Sequence, residues 1–423
     1  MKLLVSSINF WPDHSGIALY STDLPVYMAE KGHDVTMVTG FSYYPKWQKL
    51  PKDHRKLFAH ETYESVRVLR GYLYVPTKVS TIRRIVHELS FVLFATFNFI
   101  RAGRHDCIIV ISPPLLLGLV GITFKWLWKA RLVFHIQDLQ PDAAISLGMV
   151  KKGLLIRLLL WVEKIIYARS DHVATITEGM RKRLLQKGVS SEKLGLYYNW
   201  VNVAEAGKAR ETGKFRSEHP KMKEKWLLAY AGNIGIKQGV EVLVELAETM
   251  RAFDHLHFVI AGDGADKERL QELAAGKDLT NLTFLPFLSQ TDYFDLLQDV
   301  QLCFISQRKW TGDVFFPSKL LGIMAMSKPV LISADMESEL ACFVRKHNSG
   351  LTVETGDVNQ LAASVRRLYE DPNLLKELGK NAREAVKQFD RDVVLGKLLA
   401  WVQPARRNGH STSSPAFNST EAK

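Results

Sequence analysis

A chain of 423 residues exceeds what one hydrophobic core usually spans, so two or three domains are expected. Its 47% hydrophobic and 24% charged residues are ordinary for a soluble globular protein, and its three distant cysteines exclude a zinc or disulfide framework. The net charge of +12 lies in the first half, where residues 1–200 carry 27 Lys and Arg against 15 Asp and Glu.

The chain opens with a strand at residues 3–7, an apolar run too short for a signal peptide. A turn through Pro12-Asp13-His14-Ser15-Gly16 follows, where Gly16 lets the backbone approach a ligand. A helix at 20–31 ends at Gly32, and strands follow at 34–39 and 66–69. Residues 78–105 put basic flanks on an apolar run, and residues 150–169 again combine Lys and Arg with Leu, Ile and Trp. Both suit helices lying in a membrane interface; ordinary core helices are the competing reading. Residues 107–124 form an uncharged stretch of about 18, borderline for a membrane span. Pro113-Pro114 interrupts it, so a strand, a turn and a helix are expected. After a strand at 132–135, Asp138 stands at the carboxyl end, where it can face a cleft and accept a hydrogen bond from an attacking hydroxyl, or simply cap a turn. A strand at 172–177 and a helix at 177–187 complete the first series.

Residues 203–225 are polar and poor in large apolar side chains, which suits a linker between domains at 1–202 and 226–388. The second series has strands at 226–231, 257–261, 282–285, 300–305, 329–332 and 350–353, with helices at 239–251 and 266–275 among those between them. Alternating strands and helices predict parallel sheets covered on both faces, with ligands at the carboxyl ends of the strands. The fold class is therefore α/β, two doubly wound Rossmann-like domains. A helix at 389–403 is expected to cross back to the first domain, and the Ser-, Thr- and Pro-rich tail at 404–423 to be disordered.

Two segments suit phosphate. The loop Gly232-Asn233-Ile234-Gly235-Ile236-Lys237-Gln238-Gly239 joins a strand to a helix, and its N–H groups can wrap phosphate oxygens. Its spacing matches neither a Walker loop nor the dinucleotide fingerprint. In WTGDVFFPSKLLGIMAMSKPV, Pro317 suits a first helical turn, which puts Ser318 and Lys319 beside free N–H groups and the positive end of the dipole. An ordinary capped helix is the competing reading. The turn Gly262-Asp263-Gly264 has no second carboxylate at metal-binding spacing and reads as structural. The basic first half suits an anionic membrane surface. No stripe of aromatics among basics suggests base stacking, which argues against nucleic acid.

Six segments in order resemble the family-4 retaining glycosyltransferases of the two-Rossmann (GT-B) type: SGIALY, EKGHDVTMVTG, TEGMRKRLLQKGVSSEKL followed by Tyr198-Asn199, AGNIGIKQG, VIAGDGADKERL and PSKLLGIMAMSKPVL. The resemblance covers about residues 1–400. It implies that the two domains face an interdomain cleft, where the second half binds a nucleotide sugar and the first half presents the acceptor. It puts Gly16 near the donor phosphates, Asp138 near the acceptor hydroxyl and Asn199 in the cleft. Gly232, Asn233, Gly235 and Lys237 would form the donor loop, while Ser318 and Lys319 would hold the diphosphate. Leu320 and Leu321 would lie against the nucleoside, Phe284 and Phe287 beside the base. Arg308, Lys309 and Lys319 would neutralise the leaving group, with no metal required. VISPPLLLGL and HIQDLQPDAAISLGM resemble transferases of exopolysaccharide assembly, which implies GDP-fucose as donor, an undecaprenyl-diphosphate-type lipid-linked acceptor and the inner face of the cytoplasmic membrane. The family's two glutamates are replaced by Val314 and Gly322, and its glycine-loop Arg and Lys by Asn233 and Gln238. An inactive nucleotide-sugar-binding partner and an epimerase of the same architecture are the alternatives.

Overall fold

The computed structural model describes residues 1–13, 16–78, 80–140, 142, 153–208, 212–309 and 318–403. Lys151, Lys152, Val314, Pro317 and the tail at 404–423 lie outside the described residues.

The first domain is an eight-stranded sheet of β1 (Lys2–Ser6), β2 (Asp34–Gly40), β3 (Phe58–Tyr63), β4 (Val66–Gly71), β5 (Cys107–Ser112), β6 (Arg131–Ile136), β7 (His172–Thr175) and β8 (Leu194–Leu196). The spatial order is β3-β4-β2-β1-β5-β6-β7-β8. Every pairing is parallel except β3 with β4. Central strands such as β5 are buried along their whole length because helices cover both faces, which is why they read as unbroken apolar runs. On one face lie α2 (Thr81–Ala102), α3 (Leu117–Trp128) and α4 (Leu154–Arg169), packed through Phe91, Phe99, Val120, Phe124, Val162 and Ile166. On the other lies α1 (Ile17–Glu30), packed through Tyr20, Leu24, Tyr27 and Met28. After β7 the chain forms α5 (Glu178–Gln186). α2 is apolar and long enough to cross a membrane by length and composition. Its His87, Phe91, Ala95, Asn98 and Phe99 are nevertheless buried, so it packs as a surface helix.

The stretch at 203–225 is not a linker. It forms α6 (Val203–Ala206), α7 (Lys214–Glu218) and a short turn of 3-10 helix at Pro220–Met222. Ala206, Phe215 and Met222 enter the second domain's core. Arg216 fastens the segment by donating to the carbonyls of Met222, Lys225 and Asp299. Three apolar anchors spaced among charged residues suffice, and composition averages them away.

The second sheet holds β9 (Trp226–Ala231), β10 (Leu256–Ala261), β11 (Leu282–Leu285), β12 (Leu302–Ser306), β13 (Val330–Ser333) and β14 (Gly350–Val353). Its order is β11-β10-β9-β12-β13-β14, all parallel. Its helices are α8 (Glu241–Thr249), α9 (Lys267–Ala275), α10 (Gln290–Asp299), α11 (Ser318–Ala325), α12 (Glu339–Lys346), α13 (Val358–Glu370) and α14 (Pro372–Ala385). The last described helix, α15 (Arg391–Val402), returns to the first domain. Val394, Leu395, Leu398 and Val402 join the core around Leu3 and Tyr27. Arg391 binds Asp23 at 2.8 Å and Glu30 at 2.6 Å. At the crossing, Val201 bridges Asp390.

Strand order reverses around β1 in the first sheet and around β9 in the second. Loops leaving the carboxyl ends of these strands are where an open parallel sheet leaves room for a ligand.

Candidate active site

The loop after β9 is shaped by glycine. Gly232 has φ +143, and a Cβ on Gly262 would come within 1.9 Å of the Gly232 carbonyl oxygen. The Gly262–Gly264 turn therefore lies directly under the loop, which Ile234 N–H ties to the Asp263 carbonyl at 2.8 Å. The Tyr230 hydroxyl donates to the Asn233 carbonyl at 2.5 Å. The result is a fixed bend containing Gly232, Asn233, Gly235 and Lys237, with Asn233 and Gln238 side chains crowding over Gly235.

Lys319, in the first turn of α11, points back to this bend. Its Nζ lies 3.8 Å from the centroid of the Tyr230 ring and would be 3.5 Å from a Cβ at Gly232. The ammonium is buried although the residue as a whole is partly exposed, and it has no hydrogen-bond partner among the described residues. Burial pulls its pKa down to about 7. The other expected cations are committed elsewhere: Arg308 pairs with Glu241, and Lys309 with Glu354 at 3.1 Å. Ser318 shares a side-chain hydrogen bond with Tyr20, a buried residue of the first domain's α1.

Leu320 and Leu321 correct the sequence reading. They are 0% and 1% exposed and belong to the second domain's core, so neither side chain is open to a nucleoside. Gly322, where the family's second glutamate is expected, has its side-chain space taken by Tyr293: a Cβ there would meet Tyr293 Cε1 and Oη at 3.3 Å. Phe284 packs partly against the other core of this domain, and Phe287 is exposed. Their segment reaches the bend through Gly262 N–H, which donates to the Leu285 carbonyl at 3.3 Å.

Across the cleft, Gly16 starts α1 at φ +60, a backbone state glycine adopts readily. Before it, Asp13 is 4% exposed and organises the loop. Its carboxylate accepts from Asn9 at 3.1 Å, from Ser42 at 2.5 Å and from the Tyr44 N–H at 3.3 Å. Burial raises the Asp13 pKa against those bonds. Asp138 follows β6. Burial raises its pKa too, opposed by the charges of Arg84 and of Lys237 from the second domain. The glycine bend and Asp138 are thus electrostatic neighbours across the cleft. Asn199, at the domain crossing, has a buried side-chain oxygen with no partner among the described residues.

Sequence reasoning passed over Asp13, Tyr20 and Tyr293. Asp13 lay in a segment already singled out for Gly16; the two tyrosines carried no signal beyond ordinary core residues.

Two parallel α/β domains with their strand-order reversals opposed across a cleft define the GT-B class of glycosyltransferase. Sucrose-phosphate synthase from Thermosynechococcus elongatus superposes with a TM-score of 0.71 at 19% identity, covering 95% of this chain and 98% of that one. Anabaena HepE in complex with UDP-glucose gives 0.67 at 15% identity, covering 95% and 100%.

The family description "Glycosyl transferase 4-like domain" matches residues 15–200, and "Glycosyl transferases group 1" matches residues 211–385. The chain belongs to the family-4 glycosyltransferases. It is similar to the putative colanic acid biosynthesis glycosyl transferase WcaI of Escherichia coli K12, with 31% identity over 409 residues, 94% of this chain and 99% of that protein. The probable glycosyltransferase WbjE of Pseudomonas aeruginosa is 23% identical over 73% of this chain and 74% of its own length.

Proposed function

We propose that this glycosyltransferase moves a hexose, L-fucose from GDP-fucose, onto a saccharide carried by an undecaprenyl-diphosphate-type lipid during assembly of a colanic-acid-like exopolysaccharide. The observation that carries the nucleotide-sugar part is the Lys319 ammonium, buried at the glycine bend with no anion beside it among the described residues. A diphosphate laid there gains a charge-assisted bond to Lys319 and bonds from backbone N–H groups of the bend and the α11 start. The acceptor hydroxyl, hydrogen-bonded to Asp138, attacks the anomeric carbon. The bond from that carbon to the phosphate oxygen breaks, and the acceptor proton leaves on the departing diphosphate. Positive charge on Lys319, favoured once the diphosphate is bound, lowers the barrier, a role that would otherwise fall to a metal ion. The choice of sugar and exopolysaccharide leans on the likeness to WcaI.

The membrane part rests on the outer face of α2, α3 and α4. Ile82 is 75% exposed, Trp126 80% and Leu154 84%, with Leu93, Ile100, Leu127 and Trp161 also open. Arg83, Arg84, Lys129, Arg157 and Lys164 are exposed on or beside the same helices. Apolar side chains flanked by cations suit peripheral docking on the anionic inner face of the cytoplasmic membrane.

A thermal-shift screen with GDP-, UDP- and TDP-sugars, followed by turnover with GDP-fucose and a lipid-diphosphate glucoside, tests the substrate assignment. Stabilisation by a UDP-sugar alone would replace the donor, and binding without turnover would favour an inactive partner. Docking is tested separately by changing Arg83, Arg84, Arg157 and Lys164 to Gln. Each lost charge should cost about 1 kcal/mol of binding to anionic vesicles, and co-sedimentation equal to wild type would remove the membrane assignment.

A further inference from the structure

The first turn of α5 is completed by the other domain. A helix leaves its first N–H groups without intrahelical partners. In α5 the first intrahelical bond runs from the Arg181 N–H to the Thr177 carbonyl at 3.0 Å, and the Met180 N–H before it is taken by the Thr177 side chain at 3.0 Å. The N–H groups of Glu178 and Gly179, also without intrahelical acceptors, donate to the two carboxylate oxygens of Glu339 at 3.1 and 3.2 Å. Glu339 belongs to the second domain, 161 residues along the chain from Glu178. It is also the first residue of α12, capped by Ser338. Its carboxylate thus stands at the positive ends of two helices from different domains, a favourable place for a negative charge.

The seam around this contact is packed only in part. Tyr198 and Phe343 both meet the Phe389 ring edge-on, while an open pocket of about 300 Å³ remains beside the contact, lined by Lys182 and Glu337 among others. Along that open side a pair of short directional bonds helps to set the spacing, and a separation of about 1 Å would take both beyond bonding distance.

We infer that Glu339 is a positioning residue: its carboxylate latches the second domain onto α5 and so fixes how the two domains face each other across the cleft. The inference uses the family assignment and the two-domain geometry, and does not depend on which donor or acceptor is used.

The test uses the full chain and needs no substrate. In Glu339→Ala, hydrogen exchange at the Glu178 and Gly179 amides should rise about five- to thirtyfold, the worth of a charge-assisted bond. Met180, held by its own cap, should be unchanged, and the radius of gyration from solution scattering should increase. Glu178→Pro provides an independent variant. Proline suits the first helical position and removes one of the two donors, and the extended Thr177 tolerates a following proline. It should loosen scattering in the same direction, and adding Glu339→Ala to it should cause less than the sum of the two effects. In turnover, both variants should raise the donor KM more than they lower kcat. Unchanged exchange at the two amides would mean that the contact does not form in solution. Freed amides with unchanged scattering would reduce Glu339 to a helix cap. Either result overturns the latch.

Discussion

The loop after β9 offers backbone N–H groups and, from α11, an ammonium with no carboxylate beside it among the described residues. The loops after β1 and β6, on the facing wall, offer Asp13 and Asp138. Both walls follow one plan of strand, loop and helix, yet burial acts on them in opposite senses. It lowers the pKa of Lys319 and raises those of Asp13 and Asp138. Each wall therefore holds its group closer to neutrality than water would, and each gains most when a substrate brings the complementary charge or proton. In the proposed function a diphosphate would do this for Lys319, and an acceptor hydroxyl for Asp138. On that reading, a few loop residues give similar architecture two chemistries.

If the walls divide the work in this way, they can be damaged separately. The largest effect is expected from Asp138→Asn, which should lower kcat by about 10²- to 10⁴-fold while leaving GDP affinity intact. Steady-state kinetics with calorimetry would decide it, and an equal loss of GDP binding would erase the distinction. Gly262→Ala should come next. Its Cβ would collide with the Gly232 carbonyl, and its φ of +151 is foreign to alanine, so about 3 kcal/mol of stability should be lost. Denaturant unfolding measures this, and donor binding should fall with it because the bend loses its support.

Lys319→Ala should weaken GDP binding by about 1–3 kcal/mol with little effect on acceptor KM. Calorimetry showing wild-type GDP affinity would remove Lys319 from the donor site. The smallest effect is a pH dependence. With its pKa at about 7, free Lys319 loses its proton as pH rises from 7 to 9, while a bound diphosphate favours the charged form. Affinity for a GDP-sugar should therefore fall over that range by up to about tenfold per pH unit, and Lys319→Arg, which stays charged, should flatten the slope. In the free protein the sign is opposite. The unfolded lysine, near its ordinary 10.5, binds a proton that the folded one has released, so this group's contribution to stability rises between about pH 7 and 10.5.

Much of the scaffold can be read from residue order because its parallel strands are buried on both faces. The strands Trp226–Ala231, Leu282–Leu285 and Gly350–Val353 lie where their apolar runs predict. β3 escapes such reading because FAHETY is half exposed at an antiparallel edge, and β8 because it has three residues around Gly195. In the candidate site, the glycine bend and Lys319 can be singled out from the sequence by backbone freedom and a helix start, and the structure brings them together. Leu320 and Leu321 could have been assigned to the core: with Met324 and Ala325 they recur at the spacing of a buried helical stripe. Glu339 had no such signal. A glutamate after a capping serine looks complete within its own helix, and its partners are distant in sequence.

The return of α15 has a consequence for how the molecule is divided. Val201 N–H donates to the Phe389 carbonyl at 3.0 Å, and Arg391 N–H to the Val201 carbonyl at 3.0 Å. The chain therefore leaves the first lobe and re-enters it at one point, and everything between is topologically a guest within its host. A spliced chain joining residue 202 to residue 389 would keep the host's core whole, and should fold alone with a single cooperative unfolding transition. Ending the chain at residue 390 would instead strip the host of the helix that covers Leu3 and Tyr27.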